Sequence, residues 1–172
     1  MVRKAKLTDA KSIFELVSDY ALKGVLLPRS IGSIYDRIRD FWVYEESGCV
    51  VGCVALQVVW EDLAEIRSFA VKKEKRGRGI GKKLIEACLE EAHDLGIRRV
   101  FSLTYAKEYF EKMGFRVIDK GELPHKIWSD CVNCSKFPAC DEIAVVFEFD
   151  ECGSTCLHIA DSHEVRRDAE EI

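Results

Sequence analysis

Glycines and basic residues are concentrated in one short stretch, KKEKRGRGIGKKLIEACLEEA, residues 72–92. Glycine lets a backbone approach a ligand closely, and the start of a helix supplies unpaired amides and a dipole that favour an anion. An apolar pattern with helical spacing follows the glycines, so the stretch predicts a site for a small polyanion such as a pyrophosphate. Its candidate ligands are Arg76, Gly77, Arg78, Gly79, Ile80, Gly81 and Lys82.

Two familiar phosphate-binding motifs fit this stretch less well. A P-loop ends in Gly-Lys-Ser/Thr, whereas Gly81 and Lys82 are followed by Lys83, which leaves no hydroxyl for magnesium. The dinucleotide fingerprint is Gly-x-Gly-x-x-Gly, and the interval from Gly79 to Gly81 is too short for it. A glycine-rich, solvated turn without any ligand is the remaining alternative.

A second group of residues could bind a metal. Cys131, Cys134 and Cys140 follow His125 closely, and together they offer four soft ligands for a structural zinc ion. Only the interval between Cys131 and Cys134 is the usual one for zinc. A compact loop held by aromatic residues and buried thiols is therefore the alternative to a zinc site. The earlier cysteines lie in apolar patterns and are predicted to be small core residues.

Apolar periodicity predicts the elements that position these residues. Strands are predicted at 2–7, 41–46, 49–60, 64–71, 98–104, 115–118 and 142–149. Helices are predicted after a cap at Thr8 or Asp9, over 31–38, from the glycine stretch to Gly96, and over 106–113. This order indicates an α/β (α+β) fold with antiparallel strands early and one strand–helix–strand crossover late.

Length and composition limit the possible classes of protein. The chain has 172 residues, of which 48% are hydrophobic and 33% charged, as in a globular domain. We expect one domain over 1–150, including a cysteine-containing insertion at 123–141, and a C-terminal tail or short helix over 151–172. The net charge of −4 argues against a nucleic-acid partner, and no apolar run is long enough to span a membrane. The expected location is the cytoplasm.

The glycine stretch resembles the phosphate loop of the acetyl-CoA-dependent N-acetyltransferases of the GNAT superfamily. That loop reads Arg/Gln-x-x-Gly-x-Gly/Ala, which residues 76–81 match after the strand EIRSFAV, and YFEKMGF, 109–115, resembles the family's short helix beside the pantetheine arm. The resemblance implies a mixed, mostly antiparallel central sheet with helices on both faces and a pyrophosphate-binding strand–loop–helix. It also implies acetyl-CoA as cosubstrate, bound by the loop and by Phe69, Ala70 and Val71.

Further segments are similar to amino-acid N-acetyltransferases of the N-acetylglutamate synthase type, particularly the short stand-alone members. Such enzymes acetylate the α-amine of L-glutamate and start arginine biosynthesis. The resemblance implies that Arg29, in LLPRS, binds a substrate carboxylate, with Ser30 adding a hydrogen bond. Arg67 lies two residues after Glu65, so on a strand both side chains share one face. Arg67 is therefore a further candidate for binding the substrate. For the second carboxylate the sequence offers Lys126 and Lys136, and Lys136 is included among the substrate-binding candidates.

Acetyl transfer to an amine needs a base, because an ammonium group has no lone pair with which to attack a thioester. Glu65 matches the acid of the AEI segment in the resembling enzymes and is the predicted base. A backbone amide between Ser68 and Ala70 is expected to stabilise the oxyanion. Many superfamily members use a tyrosine as proton donor where this chain has Phe110. The substitutes are Thr104, Tyr105 and Tyr109, of which Thr104 and Tyr109 are ranked first, or the thiolate leaves unaided.

Other functions remain open at this point. A GNAT enzyme that acetylates a protein N-terminus or a polyamine is one alternative, and a non-catalytic acyl-CoA-binding sensor is another. A polyamine acceptor would predict acidic residues in the pocket, so Arg29 favours an acidic acceptor. The candidate partners are a small-molecule amino-acid substrate and a second copy in a homodimer, with no nucleic acid and no membrane.

Overall fold

The computed structural model describes residues 1–124 and 140–150. Seven strands in these ranges form one sheet in the order β1-β2-β3-β4-β5-β7-β6. The strands are β1 Val2–Lys4, β2 Phe41–Glu46, β3 Cys49–Trp60, β4 Leu63–Val71, β5 Arg99–Thr104, β6 Arg116–Ile118 and β7 Ile143–Glu148. The helices are α1 Ala10–Leu22, α2 Ile31–Asp36, α3 Ile80–Asp94 and α4 Lys107–Lys112.

The predicted fold class is confirmed, with differences at two elements. Among the described strands only β4 and β5 pair in parallel, and α3 is the crossover between them, as predicted. The last strand, β7, inserts between β5 and β6, an arrangement that the order of elements along the chain does not reveal. The first strand ends at Lys4, because a short 3₁₀ turn over Leu7–Asp9 leads directly into α1.

Apolar side chains cover both faces of the sheet, which explains the long hydrophobic runs of β3 and β4. One face packs mainly against α3, and the other packs against α1 and α2 near one end of β3 and β4. A third, smaller cluster covers the opposite end of that second face. Strand alternation places Gln57, Glu65 and Arg67 between the second and third clusters. The sheet therefore carries a polar group between two apolar regions of one face.

One residue predicted to be buried is exposed. Cys49 stands at the exposed start of β3, next to the Ser47–Gly48 turn, so the prediction that it is a core residue is wrong. Cys53 and Cys88 are fully buried as predicted, and burial raises the pKa of the Cys53 thiol to about 12.

Asp9 is the N-cap residue of α1, as predicted, but its side chain makes no capping hydrogen bond to that helix and instead connects the start of α1 to the first strand. Its carboxylate accepts hydrogen bonds from Arg3 Nη1 and Nη2 at 2.7 and 3.0 Å and from the Lys6 amide at 2.7 Å. The hydrogen bonds from Arg3, more than any other cause, hold the pKa of Asp9 below its usual range. Ionised Asp9 therefore stabilises the fold above the unfolded-state pKa of about 3.9, and this contribution is lost as pH falls through the lower folded pKa.

Replacing Asp9 by asparagine is expected to lower the free energy of unfolding at pH 7 by about 2 kcal/mol, because three charge-assisted hydrogen bonds lose their acceptor charge. The difference between wild type and variant should shrink as pH falls below about 4, where Asp9 of the unfolded chain becomes protonated, and it should be lost below the lower pKa of Asp9 in the folded protein. Thermal unfolding measured between pH 2.5 and 8 tests this, with Asp19→Asn as a control on the same helix. A difference that stays constant with pH would contradict the assigned role of the charge.

Candidate functional site

A gap opens between the ends of β4 and β5. Their parallel pairing stops at Glu65 and Phe101, although β4 continues to Val71 and β5 to Thr104. The Ser102 hydroxyl donates to the Ile66 carbonyl at 2.9 Å, where the ladder of backbone hydrogen bonds has ended. Within residues 1–124 and 140–150, no strand pairs with this edge of β4 beyond Glu65, so the edge offers backbone groups with which a ligand can pair.

A β-bulge lies on the open part of β4. The register with β3 shifts between the pairs Ala55–Arg67 and Cys53–Ala70, so Ser68 and Phe69 oppose a single residue of β3. Ser68 has φ 52°, which is uncommon for a residue other than glycine and typical of constrained functional backbone. A bulge takes backbone amides out of the ladder. This is the segment from which the sequence predicts the oxyanion donor.

The glycine stretch forms the entry to α3. Gly79 is the N-cap with φ 72° and Gly77 has φ 71°, so both need the conformational freedom of glycine. The amides of Ile80, Gly81 and Lys82 occupy the first turn, where no intrahelical acceptor is available. Helix dipole and amides together favour an anion at this end of α3. The predicted strand–loop–helix is therefore present with the expected geometry.

Gly81 is required for a different reason, namely close packing. A Cβ built on Gly81 would lie 2.5 Å from Tyr109 Oη and 2.8 Å from Phe69 Cζ. The rings of Phe69 and Tyr109 are themselves in contact, with centroids 5.7 Å apart. The start of α3 thus rests directly on aromatic residues of β4 and α4.

The cations of the loop contact acids and an aromatic residue from other elements. Glu46, at the end of β2, accepts hydrogen bonds from Lys75 and from Arg78 Nη2, the latter at 2.8 Å. These hydrogen bonds, led by that from Lys75, lower the pKa of Glu46. Lys82 lies 3.9 Å from Glu86, one turn further along α3. Arg76 is directed instead to Tyr20 of α1, with Nη2 2.7 Å from the hydroxyl.

The predicted base lies in the polar group on the other sheet face. Glu65 Oε2 is 3.6 Å from Arg67 Nη1, and the two side chains are 13% and 11% exposed. The same Arg67 nitrogen donates to Gln57 Oε1, and Gln57 pairs directly with Glu65 across β3 and β4. The structure therefore brings together Glu65 and Arg67, as predicted, and adds Gln57. Gln57 was not predicted as a site residue. The sequence marks it only as a polar residue among hydrophobic neighbours on β3.

Two predicted hydroxyl groups already have structural partners. Thr104 Oγ1 accepts from the Ala106 amide at 2.9 Å, where β5 turns towards α4. Ser30 Oγ accepts from the Ser33 amide at 3.1 Å and caps α2, with the half-buried Arg29 immediately before it. Tyr109 has a different environment, because burial, with a smaller effect of Glu86, raises its pKa above the usual range. The phenol therefore stays protonated and can donate a hydrogen bond, while its raised pKa makes it a weaker acid than an exposed tyrosine.

Side-chain burial determines how the other candidates could contact a cofactor. Phe69, Ala70, Val71 and Ile80 are all buried, so a ligand at these positions would be held by their backbone groups. Phe110, at the position where many superfamily members have tyrosine, is 1% exposed and packs edge-on against Phe115. It therefore serves the hydrophobic core.

The candidate zinc ligands fall largely outside the described residues. His125, Cys131 and Cys134 lie there, as does Lys136, so the predictions for them remain predictions. Cys140 is described and half-buried, and its Sγ is 3.6 Å from Glu142 Oε2. Within 1–124 and 140–150, no three His, Cys, Asp or Glu residues are grouped as a metal would require. No helix in these ranges has the length and apolar character needed to cross a membrane.

Comparison with known proteins agrees with the observed fold. The sequence model of the acetyltransferase (GNAT) family matches residues 12–115. The chain belongs to the GNAT acetyltransferase family. The resemblance seen in the phosphate loop is thereby confirmed. An uncharacterized N-acetyltransferase of Chlorobaculum tepidum is 45% identical over 145 residues, which cover 84% of this chain and 94% of that protein.

Other GNAT relatives have names that specify an acceptor. An amino-acid acetyltransferase of Mycobacterium tuberculosis is 42% identical, over 69% of this chain and 70% of that protein. The crystal structure of N-acetylglutamate synthase from Neisseria gonorrhoeae, complexed with coenzyme A and N-acetyl-glutamate, superimposes with a TM-score of 0.80 at 27% identity. That match covers 87% of this chain but 35% of the synthase chain. The predicted GNAT-like sheet is therefore also confirmed by a solved structure.

Proposed function

We propose that this GNAT protein transfers the acetyl group of acetyl-CoA to the α-amine of an amino acid, and that the amino acid is L-glutamate. The observation that carries the acceptor assignment is the largely buried pair of Glu65 and Arg67 on β4, the strand that leads into the phosphate loop. One member is a base for the amine and the other a cation for a carboxylate. The relatives named above support an amino-acid acceptor.

The cofactor is proposed to bind along the loop and the open edge of β4. The diphosphate accepts hydrogen bonds from the first-turn amides of α3, and Arg76 supplies positive charge beside them. The pantetheine arm, which contains amides of its own, pairs with backbone groups of β4 around Phe69, before Val71, as an additional strand would. The gap between β4 and β5 then places the thioester next to the bulge at Ser68 and Phe69.

The chemistry is proposed as direct attack in a ternary complex. Glu65 takes a proton from the acceptor ammonium, directly or through water, and the amine nitrogen forms a bond to the acetyl carbon. A bulge amide stabilises the oxyanion of the tetrahedral intermediate. The carbon–sulfur bond then breaks, the nitrogen releases its second proton to solvent to give the amide, and the CoA thiolate receives a proton from Tyr109 or from solvent. Thr104 is the less suitable donor, because its hydroxyl oxygen already accepts the Ala106 amide.

An acidic amino acid carries two carboxylates, each of which needs a cationic partner. Arg67 is proposed for one carboxylate and Arg29, in the loop before α2, for the other. Ser30 caps α2, so its hydroxyl would support the position of Arg29 more than contact the substrate. Lys136 remains a further candidate for the same role.

The test is an amino-acid screen with acetyl-CoA that follows release of free thiol. Replacing Arg29 by alanine is expected to raise KM for glutamate about 10- to 100-fold, with KM for acetyl-CoA nearly unchanged, because a charge-assisted hydrogen bond to the acceptor is lost. Arg37→Ala removes a more exposed arginine of the same region, which is paired with Asp40 at 3.6 Å, and serves as the matched control.

Three outcomes would contradict the proposal. Activity on glutamate that survives Arg29→Ala unchanged would remove Arg29 from the acceptor site. Turnover of polyamines or peptide N-termini, with none of amino acids, would show that the acceptor assignment is wrong. Binding of CoA without turnover of any amine would instead favour the acyl-CoA sensor.

A further inference from the structure

The hydroxyl of Tyr20 joins α1 to the end of β4 and to the phosphate loop. Tyr20 is 4% exposed, and its hydroxyl donates to the Val71 carbonyl at 2.6 Å. The same oxygen accepts Arg76 Nη2 at 2.7 Å and lies 3.4 Å from the Val71 amide. A phenolic oxygen has one proton to donate and can accept further hydrogen bonds, so all three contacts are compatible.

The backbone groups that Tyr20 contacts belong to the open edge of β4. The Lys72 amide donates to the Val51 carbonyl at 2.8 Å, so the ladder bond to β3 is made by Lys72 and not by Val71. In an antiparallel pair, the neighbouring residue then directs its amide and carbonyl away from the partner strand. The amide and carbonyl of Val71 therefore face the β5 side of β4, where β5 no longer pairs with it. The hydroxyl of Tyr20 bonds to these groups and so occupies the end of the edge nearest the loop.

The same contact fixes the direction of Arg76. Its guanidinium carbon lies 5.4 Å from the centre of the Tyr20 ring, and Nη2 bonds to the hydroxyl. Nε of Arg76 is buried and finds no hydrogen-bond partner among residues 1–124 and 140–150. Tyr20 thus determines where a flexible cation stands relative to the first turn of α3.

We infer that Tyr20 is a positioning residue for the diphosphate of the cofactor. Tyr20 holds Arg76 beside the α3 amides. It also occupies the backbone groups of Val71 on the open edge of β4. A pantetheine arm that pairs with this edge must therefore turn away from β4 before Val71, where the diphosphate begins. The inference rests on the proposed function, because it requires that the loop binds CoA. It assigns to α1, which contributes none of the predicted site residues, a direct part in cofactor selection.

The experiment compares CoA with S-acetylpantetheine, which carries the same thioester but no diphosphate. Tyr20→Phe keeps the ring and its packing and removes only the hydroxyl. We expect KM for acetyl-CoA and Kd for CoA to rise about tenfold, while kcat/KM for S-acetylpantetheine and KM for the amino acid stay within about twofold of wild type. Tyr35→Phe, at a residue that is 41% exposed on α2, is the control and should change neither.

A double-mutant cycle tests whether Tyr20 acts through Arg76. In the Arg76→Ala background, Tyr20→Phe should weaken CoA binding by no more than about twofold, because the group that it positions is absent. Arg76→Lys keeps the cation but not the guanidinium fork, and is expected to weaken CoA binding in the same diphosphate-dependent way. This variant also provides the test if Tyr20→Phe does not fold, as judged by circular dichroism and Tm.

The outcomes separate this inference from the function on which it rests. If wild-type protein does not bind CoA, the proposed function fails. If wild type and Tyr20→Phe bind CoA equally well, the positioning role of Tyr20 is wrong. It is also wrong if Tyr20→Phe weakens CoA binding and lowers kcat/KM for S-acetylpantetheine by the same factor. The positioning role is also wrong if the effects of Tyr20→Phe and Arg76→Ala on the free energy of CoA binding are additive.

Discussion

Replacing Glu65 by glutamine is expected to lower kcat for amino-acid acetylation by about 10²- to 10⁴-fold, the usual contribution of a general base. Glutamine keeps the size of the side chain and can still pair with Arg67 and its neighbours, but it cannot take a proton. The loss should be largest on the acidic side of the pH profile. At higher pH more of the acceptor amine is deprotonated in solution, and the need for a base falls.

The matched control is Glu61→Gln, which removes a carboxylate from the exposed turn between β3 and β4. It should leave the profile unchanged. Kd for CoA, measured by titration, should be similar in wild type and Glu65→Gln, because the proposed role concerns the acceptor. An unaltered rate and profile for Glu65→Gln would remove Glu65 from the mechanism. Equal weakening of CoA binding and turnover would indicate a structural role for the carboxylate.

The phosphate loop could be predicted from the sequence because its chemistry is local. The positive φ of Gly77 and Gly79, the first-turn amides and the helix that follows all lie within one short stretch of chain. Glu65 and Arg67 share a strand face for an equally local reason, namely the two-residue repeat of a strand. What the sequence showed was therefore the part of the site that one segment can form by itself.

The partners of these residues could not be predicted, because they come from distant segments. The hydroxyl that holds Arg76 is 56 positions earlier in the chain, and the acid that pairs with Arg78 is 32 positions earlier. Gln57 meets Arg67 only through the register of β3 against β4, which depends on the turn between them and on the bulge at Ser68. Insertion of β7 beside β5 is likewise a property of the whole sheet.

The three glycines of the loop are required for different reasons. Gly77 and Gly79 are required by the local backbone conformation, and Gly81 is required by contacts with distant residues. Gly77 and Gly79 have positive φ, and a Cβ on either would meet no atom within 4 Å. Gly81 has ordinary helical geometry, and an alanine in a helix is normally about 1 kcal/mol more favourable than glycine. At Gly81 the added methyl would instead overlap Tyr109 and Phe69, and overpacking of this kind costs about 1–3 kcal/mol.

Gly81→Ala is therefore expected to lower the free energy of unfolding by about 2 kcal/mol, against the trend of helix propensity. It should also lower kcat/KM for acetyl-CoA by about 10²-fold, because the amides that bind the diphosphate move with the first turn of α3. Chemical denaturation and steady-state kinetics measure the two effects. Gly96→Ala, at the other end of α3 with φ 75° and open space around it, should show a stability cost of about 1 kcal/mol and normal CoA binding.

A second variant identifies the cause of the loss. Tyr109→Leu removes the hydroxyl that a Cβ on Gly81 would meet at 2.5 Å, so Gly81→Ala should cost less stability in that background than in wild type. An equal cost in both backgrounds would mean that the tyrosine is not the obstacle. Because the contact joins β4, α3 and α4, a coupling between these two substitutions would show that the diphosphate site and the proposed proton donor are held by one packed unit.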